Sequence, residues 1–187
     1  MSVNAITNRN TVVVNCIKTP VSIVNPMNMA TVGTLGIWDT GATNSCITKE
    51  LAKQLGLIPV QKSLVTGVHG SQEVNVYWLA ITLNNQNITI PLLATEASEL
   101  SDDHKTGMLI GMDVICKGDF CITNFENKTV MSFRVPSVET VDYVSEIDAY
   151  NKIVKIHQIQ SKRGIDKCPC GSGKLYKNCC GQSKYNR

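Results

Sequence analysis

The chain has 187 residues, of which 43% are hydrophobic and 18% are charged, a composition typical of a globular protein. No apolar run approaches the roughly 20 residues that span a bilayer, so we expect no membrane partner. The N-terminal residues lack the basic start and long apolar core of a secretory signal, which favours a cytoplasmic protein.

Cysteine and charge are distributed unevenly along the chain. Of eight cysteines, four are scattered singly and four lie within the last twenty residues. A tight cluster in a chain without a signal is more typical of metal binding than of a disulfide framework. Residues 1–161 carry 11 basic and 14 acidic side chains, whereas residues 162–187 carry 7 and 1. The sequence therefore predicts an acidic body and a small basic tail, which either contacts an anionic partner or only aids solubility.

The first 136 residues predict a mostly β domain. β-branched runs separated by turn residues predict strands at 11–17, 21–24 and 31–38. The predicted elements that follow are a short helix at 49–57, a long hairpin at 60–83, a strand at 87–95, a short buried strand at 108–111, a helical turn at 112–118 and a hairpin at 119–135. From residue 138 to 160 the apolar residues recur at helical spacing, which predicts a helix that joins the β domain to the tail.

One aspartate is unusual, within the stretch GIWDTGATNSCIT at 36–48. Asp39 follows the apolar Ile37 and Trp38 directly, and Gly41 comes two residues later. A surface turn would explain Asp and Gly by themselves, but the apolar strand before them disfavours it. Aspartate is seldom buried without a partner, and no cationic residue lies nearby in the sequence. We therefore expect a partner from elsewhere in the chain or from a second copy.

Three segments together resemble the retropepsin family, the single-lobe aspartic proteases of retroviruses, retroelements and some bacteria. WDTGAT at 38–43 resembles the catalytic loop, and TGVHGS at 66–71 resembles the tip of the flap hairpin. MLIGMDVI at 108–115 resembles the segment that passes beneath the catalytic loop. Their order and spacing agree over about residues 10–136. The resemblance implies a retropepsin-like acid-protease lobe, a closed β-barrel or sandwich with a flap hairpin.

The resemblance also implies a role for each matched residue. The chain has one Asp-Thr-Gly and is too short for two lobes, so the implied enzyme is a homodimer. Asp39 of each copy would activate water, Thr40 would hydrogen-bond across the two-fold axis, and Gly41 would allow the tight turn. This catalysis needs no cofactor. The residues implied to contact a peptide substrate are Ala42, Gly67, Val68, His69, Gly70 and Gly111.

A second motif lies near the C-terminus, in CPCGSGKLYKNCCG at 168–181. Its spacing can present four thiolates to one tetrahedral Zn²⁺, and Gly-Ser-Gly would reverse the chain between the two pairs. A disulfide knot is the alternative, disfavoured without a secretory signal. The stretch resembles the SEC-C motif, named for the C-terminus of the bacterial preprotein translocase motor ATPase. The resemblance implies a bacterial source and a structural Zn²⁺ held by Cys168, Cys170, Cys179 and Cys180.

We therefore expect a protease domain at 1–136, a helical linker at 137–161 and a zinc motif at 162–187. The predicted function is a homodimeric aspartic endopeptidase that cleaves proteins or peptides, with a basic tail that docks an acidic protein, a ribosome or other RNA. Two alternatives remain open. The flap has few glycines, which suits a dimeric peptide-binding module without activity. A zinc tail that binds RNA suits a retroelement-type protease.

Overall fold

The computed structural model describes residues 2–67, 70–84, 88–101, 104–161 and 163–182. The chain divides into two compact units, residues 1–139 and 140–187. The described part of the first unit is mostly β, which confirms the fold class expected from the sequence. Its strands and helices, in chain order, are β1 (Asn4–Arg9), β2 (Ile17–Val24), β3 (Thr31–Trp38), β4 (Cys46–Thr48), α1 (Lys49–Gln54), β5 (Gln61–Gly67), β6 (Gly70–Leu83), β7 (Thr89–Ala97), β8 (Thr106–Ile110), α2 (Met112–Ile115), β9 (Asp119–Thr123) and β10 (Val130–Val135).

Six strands of the first unit close into a barrel. Each pairs with the next in the order β2-β3-β8-β4-β7-β6, and pairing of β2 with β6 completes the ring. β3 runs parallel to β8 and β4 runs parallel to β7, while the other neighbours in the ring are antiparallel. Closure leaves these strands without the unpaired edges that promote aggregation. Alternate residues point inward and form the core, in which Ile23, Ile47, Leu79, Ile81 and Met108 are fully buried.

The β5–β6 hairpin extends from this barrel as the sequence predicts. The two strands pair from Gln61 with Val76 to Gly67 with Gly70. β6 then continues into the barrel, where it pairs with β7 from Val76 onward. One long strand therefore belongs to the hairpin over its first half and to the barrel over its second half.

A second sheet has the order β1-β10-β9. It contacts the barrel through Trp38, the last residue of β3. The Trp38 ring stacks on Phe120 of β9 at 5.3 Å between centroids and lies 5.0 Å from Phe133 of β10. The indole Nε1–H donates to Thr19 Oγ1 at 2.9 Å, which satisfies a buried polar group. The residue before Asp39 thereby joins the two sheets.

The strand predicted at 11–17 is wrong. The β-branched run there suggested a strand, but the chain forms a loop around the buried Thr129. The backbone N–H of Thr129 donates to Val12 O at 3.1 Å, and Thr129 Oγ1 accepts from Val14 N at 3.1 Å. These bonds replace a strand ladder, and β2 begins only at Ile17.

The second unit contains α3 (Tyr143–Ser161), which begins five residues later than the predicted helix. Asp142 accepts hydrogen bonds from the backbone N–H groups of Val144 and Ser145, which are typical of a helix N-terminus. Apolar side chains of α3, among them Val144, Ile147 and Ile153, are exposed. Among the helices that the structure describes, none has both the length and the apolar character needed to cross a bilayer.

We expect acid to weaken the first unit through Asp119. A hydrogen bond from Ser137, then one from the backbone of Val138, and the Arg134 guanidinium lower the pKa of Asp119 from 3.8 to about 2. The stability that these contacts provide is present above pH 3.8 and is lost as the pH falls toward 2. Asp119→Asn should therefore lower the urea midpoint of Trp fluorescence at pH 6 and match the parent near pH 2. Asp148→Asn, at an exposed position of α3, is the control. Equal urea midpoints for Asp119→Asn and the parent at pH 6 would contradict the prediction.

Candidate functional site

Asp39 lies directly after β3, on the loop from residue 39 to residue 45 that leads to β4. Its backbone N–H donates to Ile110 O at 2.9 Å, which extends the parallel pairing of β3 with β8 by one residue. Its Oδ1 accepts from the Gly41 N–H at 2.8 Å, so the loop turns around its own carboxylate. The side chain is half-buried. Among the described residues, no lysine, arginine or histidine forms an ion pair with it.

The segment after β8 holds this loop from beneath. Met112 N donates to Ala42 O at 2.8 Å, and Asp113 N donates to Thr43 O at 3.1 Å. Gly111 lies so close to the loop that an added Cβ would be 2.7 Å from the Asn44 carbonyl carbon. Only glycine fits where two backbones approach at this distance. The apolar-apolar-Gly segment therefore passes beneath the Asp-Thr-Gly loop, as expected.

A buried serine that the sequence did not predict completes the contact. Ser45 is fully buried, and its Oγ accepts from Gly111 N at 3.0 Å and donates to Asp113 Oδ1 at 2.7 Å. Its carbonyl oxygen accepts from Thr95 N at 3.0 Å, which links the loop to β7. A lone serine among small residues carries no motif, so only the Gly111–Met112–Asp113 side of this contact had a signal in the sequence.

The expected substrate-binding residues are only partly within the described chain. Gly67 and Gly70 pair at the end of the β5–β6 hairpin, and Gly70 has a φ of 105°, a conformation that favours glycine. Val68 and His69 lie outside the described residues. Thr40 and Gly41 are exposed, whereas Ala42 is half-buried and Gly111 is buried. The Asp39 loop, after β3, and the β5–β6 hairpin both extend from the same barrel.

The four C-terminal cysteines converge in the second unit. The Sγ atoms of Cys168, Cys170, Cys179 and Cys180 all lie within 4.8 Å of one another. Cys170 Sγ is 3.4 Å from Cys179 Sγ, which is too far for a disulfide and is compatible with two ligands of one tetrahedral ion. The donor set and its spacing fit a closed structural zinc site with four thiolate ligands.

Local geometry explains why these cysteines meet. Gly171 and Gly173 have positive φ values of 78° and 70°, which reverse the chain between the two cysteine pairs as expected. Cys168 N donates to Lys174 O at 2.8 Å and closes the reversal. Tyr176 is buried, and an added Cβ at Gly181 would lie 2.6 Å from its ring. Tyr176 is therefore part of the packing of the motif rather than a surface for stacking bases.

Two segments of the chain match known protein families. Residues 30–114 match the family model described as aspartyl protease, and residues 166–182 match the SEC-C motif. These matches confirm the two resemblances found in the sequence.

Curated relatives match short stretches of the chain. The protein translocase subunit SecA of Sulfurovum sp. is 89% identical over 32 residues, which are 17% of this chain and 4% of that protein. The SecA of Wolinella succinogenes is 67% identical over 30 residues, 14% of this chain and 4% of that protein. The Pro-Pol polyprotein of Feline foamy virus is 33% identical over 60 residues, 32% of this chain and 5% of the polyprotein. The chain thus spans about a twentieth of the length of these relatives.

Solved structures similar to the chain include a retropepsin-like aspartic protease from Rickettsia conorii. It is 14% identical, covers 72% of this chain and 97% of its own, and has a TM-score of 0.45. The retroviral protease-like domain of Ddi1 from Leishmania major is 19% identical, covers 69% of this chain and 98% of its own, and has a TM-score of 0.42.

Replacing Gly111 should destabilise the fold because its neighbour is backbone and cannot move aside. An alanine Cβ would lie 2.7 Å from the Asn44 carbonyl carbon and 2.9 Å from Ala42 O. We expect Gly111→Ala to lower the free energy of unfolding by about 2–3 kcal/mol in urea denaturation. Gly33→Ala is the matched control, since an added Cβ there has nothing within 4 Å. Equal effects of the two substitutions would show that the close approach is not a constraint.

Proposed function

Because the chain carries an aspartyl protease segment at 30–114 and a SEC-C motif at 166–182, we propose that it is a homodimeric aspartic endopeptidase with a zinc-bound docking tail. The observation that carries the proposal is the Asp39 loop. Its carboxylate is half-buried, has no cationic partner among the described residues, and is held from beneath by the segment through Gly111. Such a loop is built to hold one carboxylate in a defined place.

The second carboxylate comes from a second copy of the chain. The sequence has one Asp-Thr-Gly, and a two-fold axis would place the two Asp39 side chains beside each other. Two carboxylates about 3 Å apart repel each other when both are charged, so the pair holds one proton between them. This arrangement would explain why Asp39 has no cationic partner among the described residues.

The reaction follows from that shared proton. The charged carboxylate takes a proton from the water between the two side chains, and the oxygen of the water attacks the scissile carbonyl carbon. The protonated carboxyl donates its proton to the carbonyl oxygen as the carbonyl carbon becomes tetrahedral. The other carboxyl then passes the proton that it took from the water to the leaving nitrogen, and the C–N bond breaks. Thr40 would hold the two loops together across the axis, and the exposed Gly41 leaves room for the substrate backbone.

The substrate would be an extended peptide between the loop and the β5–β6 hairpin. An extended backbone can add to a hairpin through main-chain hydrogen bonds, as in other strand-addition complexes. Ala42 would form part of the floor of that cleft, supported from beneath by Gly111, and the end of the hairpin at Gly67 and Gly70 would cover it.

The tail would serve docking. A module of about twenty residues cannot bury a sufficient core, and a structural Zn²⁺ bound by the four cysteines would replace one. Its described surface carries Lys174 and Lys177, both exposed, which suit an acidic protein partner. Burial of Tyr176 leaves little aromatic surface for stacking RNA bases, so a protein partner is the better fit. We place the enzyme in the bacterial cytoplasm.

Substitution of Asp39 tests the catalytic proposal. The purified chain and its Asp39→Asn variant are incubated with a pool of denatured proteins between pH 4 and 8, and new termini are identified by mass spectrometry. We expect cleavage by the parent and a loss of at least about a thousandfold in the variant, because the amide can neither take nor donate the catalytic proton. Asp148→Asn, on the exposed surface of α3, should cleave as the parent does.

A dimer that binds peptides but cleaves none would contradict the proposed protease activity. Sedimentation of the parent and of Asp39→Asn measures the dimer separately from the cleavage. Absence of new termini with both chains dimeric would favour the non-catalytic peptide-binding module.

Metal analysis tests the tail. We expect about one zinc per chain by mass spectrometry of the purified protein, and close to none in Cys179→Ser, because three thiolates bind the ion far more weakly. Cys116→Ser removes an exposed cysteine outside the cluster and should keep the metal. Zinc retained at the parent stoichiometry by Cys179→Ser would show that the four cysteines do not form the site.

A further inference from the structure

The β5–β6 hairpin leaves the barrel at one defined residue. Val76 pairs with Gln61 of β5 and with Thr95 of β7, and it is the first residue of β6 that pairs with the barrel. From Gly70 to Asn75 the strand pairs with β5 alone. Any change in the angle between hairpin and barrel must therefore be absorbed around Asn75 and Val76.

A single carboxylate bonds to both sides of this point. Glu96 Oε2 accepts from Asn75 Nδ2 at 3.1 Å and from the hydroxyl of Tyr77. Asn75 and Tyr77 flank Val76, so their side chains project from the same face of the strand. Glu96 itself follows Thr95, the last residue of β7 that pairs with β6. The Glu96 side chain thus bonds to β6 one residue beyond the last backbone pair between β6 and β7.

The Glu96 carboxylate is held by two hydrogen bonds and is charged at neutral pH. Tyr77 is buried in the core and Glu96 is half-buried. The hydrogen bond from Tyr77, then that from Asn75 and the nearby Lys49 ammonium, hold the pKa of Glu96 below its usual range despite partial burial. Burial first, and then the bond to Glu96, raise the pKa of Tyr77. At neutral pH a charged acceptor faces a neutral hydroxyl donor, which makes a strong hydrogen bond.

A groove of about 420 Å³ lies next to this contact, between the hairpin and the barrel. The hairpin contributes Val65, Gln72 and Val74, and the barrel side contributes Lys49 and Glu96. A groove of this size leaves the described hairpin without close packing along that side. The described contacts that join the hairpin to the barrel here include the backbone pairing through Val76 and the side-chain bonds to Glu96.

We propose that Glu96 is a positioning residue of the protease, which sets the angle at which the β5–β6 hairpin leaves the barrel by bonding to Asn75 and Tyr77 on either side of Val76. This inference rests on the proposed function, in which the hairpin covers the substrate. Glu96 touches neither substrate nor reacting atoms. It acts through the hairpin, so its loss weakens the hold on a peptide more than it slows the chemistry.

Hydrogen exchange and kinetics on the full chain test this inference. Glu96→Ala and Tyr77→Phe should each increase amide exchange of residues 61–75 about tenfold and leave β2 and β3 unchanged. Both substitutions remove the same hydrogen bond, between Tyr77 and Glu96. The double variant should therefore exchange no faster than the more affected single variant. With a peptide substrate, KM should rise about tenfold, while kcat changes less than twofold.

Glu73→Ala is the matched control, since Glu73 lies on the same strand and is paired with Lys62 at 2.7 Å on the exposed face of the hairpin. It should leave KM and exchange near the parent values. Unchanged hairpin exchange in Glu96→Ala, additive effects in the double variant, or faster exchange throughout the barrel would each overturn the inference. Amide exchange can be measured whether or not the chain cleaves peptides. Absence of cleavage would contradict the proposed function, whereas the exchange rates would still test the role of Glu96 at the hairpin.

Discussion

The close passage of Gly111 beneath the Asp39 loop is the constraint on which the rest of the site depends. Two backbone segments lie together without a side chain between them, and Ser45 satisfies the polar groups on both sides. Buried backbone groups must be paired, so the loop cannot shift without breaking several bonds at once. Within the described part of the chain, the position of the Asp39 carboxylate is thereby set by backbone contacts and not by a cationic partner.

The same carboxylate is tied to both sheets of the first unit. Trp38 precedes Asp39, contacts the β1-β10-β9 sheet with its ring and bonds to the barrel through its indole nitrogen. The N–H of Asp39 continues the parallel pairing with β8. Within two residues the chain at Trp38 and Asp39 therefore contacts both sheets. This arrangement suits the proposed homodimer, because each Asp39 loop would need accurate geometry before two copies meet.

The two units differ in the interactions that stabilise them. The first unit closes a barrel around a large apolar core. The motif at the end of the second unit is small, and its described part brings four thiols together around tight glycine turns. A bound Zn²⁺ would replace the core that about twenty residues cannot form. The two segments matched by family models are therefore stabilised by different kinds of interaction.

The sequence by itself determined the elements whose signals are local. The Asp-Thr-Gly loop, the hairpin between glycines, the helical turn after Gly111 and the four clustered cysteines each depend on neighbours in the chain. The strand predicted at 11–17 failed because bonds to Thr129, more than a hundred residues away, outweigh local β preference. Only the tertiary structure brought Ser45 to Gly111 and Glu96 to Tyr77. Single polar residues carry no periodic signal, and their partners are set by how the barrel closes.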